Sequence, residues 1–106
     1  MNIRTTVAAA ALAPRGKNQH AASVFKGGAL LSVATNTHKK HAEVAALEKI
    51  STSGRKCLTI VSVRVTRAGL LRNARPCASC QQYMSEVGVH TIHYSTDSGT
   101  MEMMRL

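Results

Sequence analysis

The run Leu58-Thr59-Ile60-Val61-Ser62-Val63-Arg64-Val65 restricts the fold more than any other stretch of the chain. It is β-branched along most of its length and carries apolar residues on both alternating faces. A strand with one wet face alternates apolar with polar residues, whereas one that is apolar on both faces is covered on both, usually by helices. The run therefore predicts a sheet centre with helices packed above and below it. With 106 residues, the chain has room for one small domain, 1–106, with a modest core.

The flanking segments supply the helices and the remaining strands. Residues 1–17 are Ala-rich and stop at Pro14-Arg15-Gly16, which reads as a short N-terminal helix or arm. Their opening also resembles a weak secretory signal, but alanine makes a poor apolar region and Pro14 sits where cleavage would fall, so a first helix is the expectation. Residues 20–25 and 29–33 flank Gly27-Gly28 as a β-hairpin, and 35–40 are polar and loop-like. Residues 41–50 read as a helix with Val44, Leu47 and Ile50 inward and Glu48 and Lys49 outward, ended by Ser51-Thr52-Ser53-Gly54. After the central strand, Ala68-Gly69 is a break and 70–75 a connection to Pro76. A second helix over 77–87 carries Cys80, Met84 and Val87 at helical spacing, Gly88 ends it, and 89–94 form a strand. Thr96-Asp97-Ser98-Gly99 then turns the chain into a last strand over 100–106. No internal repeat or low-complexity segment interrupts this order, and no stretch approaches the ~20 apolar residues that span a bilayer, so a soluble chain with no membrane partner is expected.

Chemistry concentrates where the two helices begin. His41-Ala42-Glu43 opens the first and Pro76-Cys77-Ala78-Ser79-Cys80 the second. One imidazole and two thiolates make three ligands for a zinc ion, with a fourth position open to water and the Glu43 carboxylate beside it to move a proton. The pattern H-x-E followed by P-C-x-x-C is the signature of zinc-dependent base deaminases. A helix N-terminus also favours the thiolate form that zinc requires. A redox Cys-x-x-Cys pair has no use for His-Ala-Glu, and a purely structural zinc site normally recruits a fourth protein ligand such as His38 or Cys57. Three cysteines do not make a disulfide framework, so a reducing cytoplasm is expected, with Cys57 a small apolar residue at the start of a strand.

From about His20 onward the chain resembles the cytidine deaminase-like superfamily. The resemblance implies an α/β chain with a three-layer α/β/α fold and a mixed five-stranded sheet. It implies zinc (Zn2+) on His41, Cys77 and Cys80, with Glu43 as proton shuttle. It further implies substrate contacts from Asn36 to the sugar or base, and from the backbone N–H of Ala42 and the backbone carbonyl of Arg75 to the polar edge of the base. Three departures shape the substrate. Asn73-Ala74-Arg75-Pro76-Cys77 stands where polynucleotide cytidine deaminases carry Ser-Trp-Ser-Pro-Cys, and the chain has no tryptophan. His38 stands where free-nucleoside cytidine deaminases usually carry a glutamate. Only four turn residues separate the last two strands, which implies an antiparallel closing hairpin like that of the small cytidine deaminases.

The expected activity is hydrolytic deamination of a cytosine-type base in a nucleoside or nucleotide (cytidine, deoxycytidine or dCMP), with Arg72 and Arg75 as candidate phosphate contacts. Single-stranded DNA or RNA is the alternative substrate, and a non-catalytic zinc-stabilised interaction module the second alternative. A formal net charge of +9 favours phosphorylated ligands and polyanions, and six cations precede the first acidic residue, which is Glu43 itself. Only Phe25, Tyr83 and Tyr94 offer rings on which bases could stack. His20, His90 and His93 read as ordinary strand or surface residues. Met101, Met103 and Met104 read as packing on the sheet or across a homo-oligomer contact, which a short, exposed edge strand would favour.

Overall fold

The computed structural model describes residues 4–11, 19–36 and 41–106. In chain order the elements are α1 (Arg4–Ala11), β1 (Gln19–Lys26), β2 (Ala29–Thr35), α2 (Ala42–Glu48), a 3-10 turn (Thr52–Gly54), β3 (Leu58–Val65), β4 (Leu71–Arg72), α3 (Ala78–Glu86), β5 (Val89–Ser95) and β6 (Met101–Arg105). The sheet runs β2-β1-β3-β5-β6, with β4 attached to β3 off this path. β3 and β5 are parallel and the remaining pairs antiparallel, so the sheet is mixed and open.

The central run behaves as its composition demands. Leu58 and Ile60 join Ala22 and Val24 of β1 and Ile92 of β5 under Ala46 and Leu47 of α2 and Met84 of α3. On the opposite face Val61, Val63 and Val65 meet Ala21, Phe25 and Ala10 of α1. Helices thus cover both faces, and each fully buried aliphatic side chain contributes about 1.5–3 kcal/mol relative to exposure. Across the α1 layer, the buried hydroxyls of Thr6 and Ser23 satisfy each other at 2.6 Å.

Three local expectations are revised. The sheet has six strands rather than five. Thr66 donates its N–H to Leu70 O and Gly69 donates to Thr66 O, both at 2.9 Å, closing a hairpin with Gly69 at φ 84°. Leu71 and Arg72 thereby lie opposite Val65 and Arg64, a pairing too short to show as a strand in the sequence. In α2 the inward stripe is Ala42, Glu43, Ala46 and Leu47, with Val44 only half-buried, because the glutamate occupies the core-facing position. Cys57 is exposed at φ 53°, in the turn before β3 rather than in the strand's apolar ladder.

The closing hairpin is antiparallel, as four turn residues allow. Thr96 N–H reaches Thr100 O at 2.9 Å and Gly99, at φ 83°, donates to Thr96 O at 3.1 Å. Met104 and Met101 pack against opposite cores, while Met103 stays exposed. Among the described residues no helix is long and apolar enough to cross a membrane.

Candidate active site

His41 and Cys77 occupy equivalent places: each is the extended residue immediately before a helix, at φ −69° in both cases, with no side-chain cap on the first-turn N–H groups. His41 O accepts from Ala45 N–H at 3.1 Å and Cys77 O from Gln81 N–H at 2.9 Å, so both ligand positions are locked by the first backbone bond of their helix. Pro76 precedes α3, and its free carbonyl is held by Gln81 Nε2 at 2.8 Å. Cys80 follows one turn into α3 and faces the core, 3.2 Å from His41 Nδ1.

The ligand atoms of His41, Cys77 and Cys80 all lie within 4.8 Å of one another. A tetrahedral zinc ion with N and S ligands sets ligand-to-ligand spacings of about 3.5–3.8 Å, so adjustments of about 1 Å bring the three donors onto one ion. The two thiols are differently prepared. A hydrogen bond from Ser79, 3.3 Å from Cys77 Sγ, is the main influence lowering the Cys77 thiol to about 7. Burial is the main influence pushing the Cys80 thiol up to about 12, with further contributions from Cys77 and Glu43. This donor set fits a borderline-soft ion such as zinc.

Glu43 is buried at 2 % exposure, and its Oε1 has no hydrogen-bond partner. Burial raises its pKa, against the opposing pull of its own backbone, His41 and Arg64. A buried carboxyl oxygen without a hydrogen-bond partner is costly. The group facing it is His20 of β1, whose Nε2 stands 3.4 Å from Glu43 Oε1 and 2.7 Å from Ser62 Oγ. Burial first, then Arg64 and His41, push His20 down to about 3. At that spacing of 3.4 Å, burial disfavours the charged form of each partner.

The other expected site residues have the following surroundings. Asn36 lies beside His20: its N–H donates to His20 O at 3.0 Å and its Oδ1 accepts His20 N–H at 3.2 Å. Ala42 is fully buried at the start of α2. Arg75 is exposed, with Nη1 donating to the Tyr94 hydroxyl at 3.2 Å and the guanidinium 5.9 Å from the Tyr94 ring centre. Arg72 is half-buried opposite Arg64, which in turn lies opposite His20, so all three share the face that carries Glu43. His38 lies outside the described residues.

His20, expected to be an ordinary strand or surface residue, lies instead beside Glu43. It is in phase with Ala22 and Val24, which face α2, and a histidine in an apolar stripe is the signal in the sequence that could have singled it out. His90 and His93 make no contact with the centre: His90 Nδ1 sits 2.6 Å from the Thr91 hydroxyl, and His93 pairs across the edge of the sheet with Met103. No protein-family model matches the chain, and no curated protein matches it.

Proposed function

We propose that the chain is a zinc-dependent hydrolytic deaminase acting on a cytosine-type base in a nucleotide or nucleoside, with a cytidine deaminase-like fold and a cytoplasmic location. The observation that carries this reading is the convergence of a His41/Cys77/Cys80 donor set with a buried carboxyl, one oxygen of which has no hydrogen-bond partner, two residues from one of the ligands. A structural metal site has no need of Glu43 at that place, where its burial lowers stability. The antiparallel closing hairpin and helices on both faces of the sheet support the small cytidine deaminase type.

Zinc held by His41, Cys77 and Cys80 would supply Lewis acidity and lower the pKa of water at its open position. Glu43 takes one proton from the attacking water and gives it to the ring nitrogen as the oxygen bonds to the amino-bearing carbon. It then takes the second proton from that oxygen and gives it to the amine, which leaves as ammonia as the carbon–nitrogen bond breaks and the carbonyl forms. A raised pKa suits that alternation, because the carboxyl holds the proton it has taken until the ring needs it. Ala42 N–H, Arg75 O and Asn36 line the base and sugar side.

A monophosphate fits the surroundings better than a free nucleoside. Arg64 and Arg72 are directly opposed like charges, an arrangement that is destabilising unless an anion lies between them. Arg64 Nε is buried without a hydrogen-bond partner. A polynucleotide fits less well, because Phe25 and Tyr94 are buried and Tyr83 is half-buried against the core, which leaves little ring surface for base stacking.

Purified protein is expected to hold about one zinc per chain and to release ammonia from dCMP faster than from deoxycytidine or single-stranded oligomers, measured in one panel. Glu43→Gln should keep its zinc and lose at least about a hundredfold in kcat, the usual scale of a lost acid–base group. Full activity in that variant would refute the mechanism. Zinc without deamination of any base would instead support the interaction module.

A further inference from the structure

Two polar side chains on the sheet lie directly beneath the helix that carries Glu43. His20 and Ser62 belong to adjacent strands and point to the same face as Ala22, Val24, Leu58 and Ile60, all buried and apolar. Both are buried, at 4 % and 0 % exposure. Polar groups persist in such a position only when each has a partner. Ser62 has two: His20 Nε2 at 2.7 Å and Ala74 O, to which its hydroxyl donates at 3.5 Å. His20 has Ser62, while the Glu43 oxygen 3.4 Å away remains unpartnered.

Ser62 Oγ lies 2.7 Å from His20 Nε2, where either group can donate, and 3.5 Å from Ala74 O, too long for a strong O–H···O bond. With its hydrogen on Nε2, His20 has two acceptors beside it, Ser62 Oγ and, at 3.4 Å, the unpartnered Glu43 Oε1. Moving the ring by about 0.5 Å brings the second contact into ordinary hydrogen-bond distance.

We infer that His20, braced by Ser62, is a positioning residue that donates Nε2–H to Glu43 and holds its carboxyl toward the His41/Cys77/Cys80 cluster. The inference rests on the deaminase reading and adds to it. Glu43 has three rotatable side-chain bonds and its Oε1 has no hydrogen-bond partner, so the His20 contact is what fixes that oxygen where a water and then a ring nitrogen must meet the carboxyl. His20 touches neither metal nor substrate; it acts through Glu43.

Two measurements on the zinc-loaded full chain test this. In protein labelled with 15N at histidine, the imidazole shifts of His20 should report the Nε2–H tautomer and should move in Glu43→Ala. The Nδ1–H tautomer, or shifts indifferent to Glu43→Ala, overturns the inference. In kinetics, His20→Ala should keep its zinc and its KM within about threefold while kcat falls about ten- to a hundredfold, the scale of one hydrogen bond to a charged group. His20→Gln, which returns an N–H near the place of Nε2, should recover most of that loss and still decides the matter if the alanine variant fails to fold. A loss in His20→Gln equal to that in His20→Ala, or native kcat in zinc-loaded His20→Ala, refutes the positioning role. If the native chain deaminates nothing, the deaminase reading falls, and the 15N shifts alone decide the His20–Glu43 contact.

Discussion

Zinc binding to this chain should release a number of protons that can be worked out from the two cysteines. Ligation requires both as thiolates. Cys80, pushed up to about 12 mainly by burial, is protonated in the metal-free chain at pH 7.5 and gives up one full proton. Cys77, lowered to about 7 mainly by the Ser79 hydrogen bond, is already about three-quarters ionised at that pH and gives up only about a quarter of one. The two thiols together release about 1.2 protons. Ser79→Ala deletes the main influence on Cys77 and returns its thiol toward the ordinary 9.0, so release should rise by up to about 0.7 proton. Cys80→Ser removes the larger contribution, and release should fall by about one. Titration calorimetry of zinc into metal-free protein, in buffers of different ionisation enthalpy at pH 7.5, counts the protons directly. If Ser79→Ala leaves the count unchanged, the Ser79 hydroxyl does not stabilise the Cys77 thiolate. If Cys80→Ser leaves it unchanged, Cys80 is not a ligand.

Two further predictions concern stability. His20 has a folded pKa of about 3 against 6.5 in its unfolded reference, so the unfolded chain binds a proton that the folded chain refuses. The stability this represents is intact above 6.5 and declines as pH falls toward 3, whereas the raised pKa of Glu43 acts in the opposite sense. Between pH 6.5 and 5, urea unfolding should show native protein losing up to about 2 kcal/mol more than His20→Gln, and parallel losses would refute the burial argument. Gly88 sits at φ 104° with the place of its absent Cβ 2.0 Å from Arg55 O, and its own carbonyl accepts Leu58 N–H at 3.0 Å. Gly88→Ala should cost about 3 kcal/mol or more in the same assay, and a loss below about 1 kcal/mol would show that the Arg55 turn yields freely.

The sheet centre was legible because burial on both faces leaves a compositional mark, and β3 spans the residues that carry it. The metal set was legible because His-x-Glu and Cys-x-x-Cys each lie within one helical turn, where spacing in sequence is spacing in space. β4 was hidden because it is only two residues long, and its pairing depends on a hairpin closed by backbone bonds from Thr66 and Gly69. His20 was hidden for a different reason. Its partners, Ser62 and Glu43, come from another strand and from a helix, and only the register of β1 on β3 brings them together. The inward turn of Glu43 in place of Val44 also follows from tertiary packing. Helical periodicity marks a stripe but not which polar residue the stripe admits.

The position of the centre in the fold connects its chemistry to its stability. His41 belongs to the start of α2, and Cys77 and Cys80 to the start of α3, so an ion held by all three ties together two helices that the sequence separates by 39 residues at the His41–Cys80 contact. Closing a loop of that length from the metal-free chain carries an entropic cost that a shared ligand set offsets. The same face of the sheet carries the His20, Ser62 and Glu43 side chains, which displace apolar packing from the middle of a small core. A chain of this size has about 5–15 kcal/mol of stability in total, and a buried carboxyl oxygen without a hydrogen-bond partner removes about 1–3 of it. On the deaminase reading the two are linked: an ion served by Glu43 would also supply the cross-link that lets the fold tolerate Glu43 in its interior.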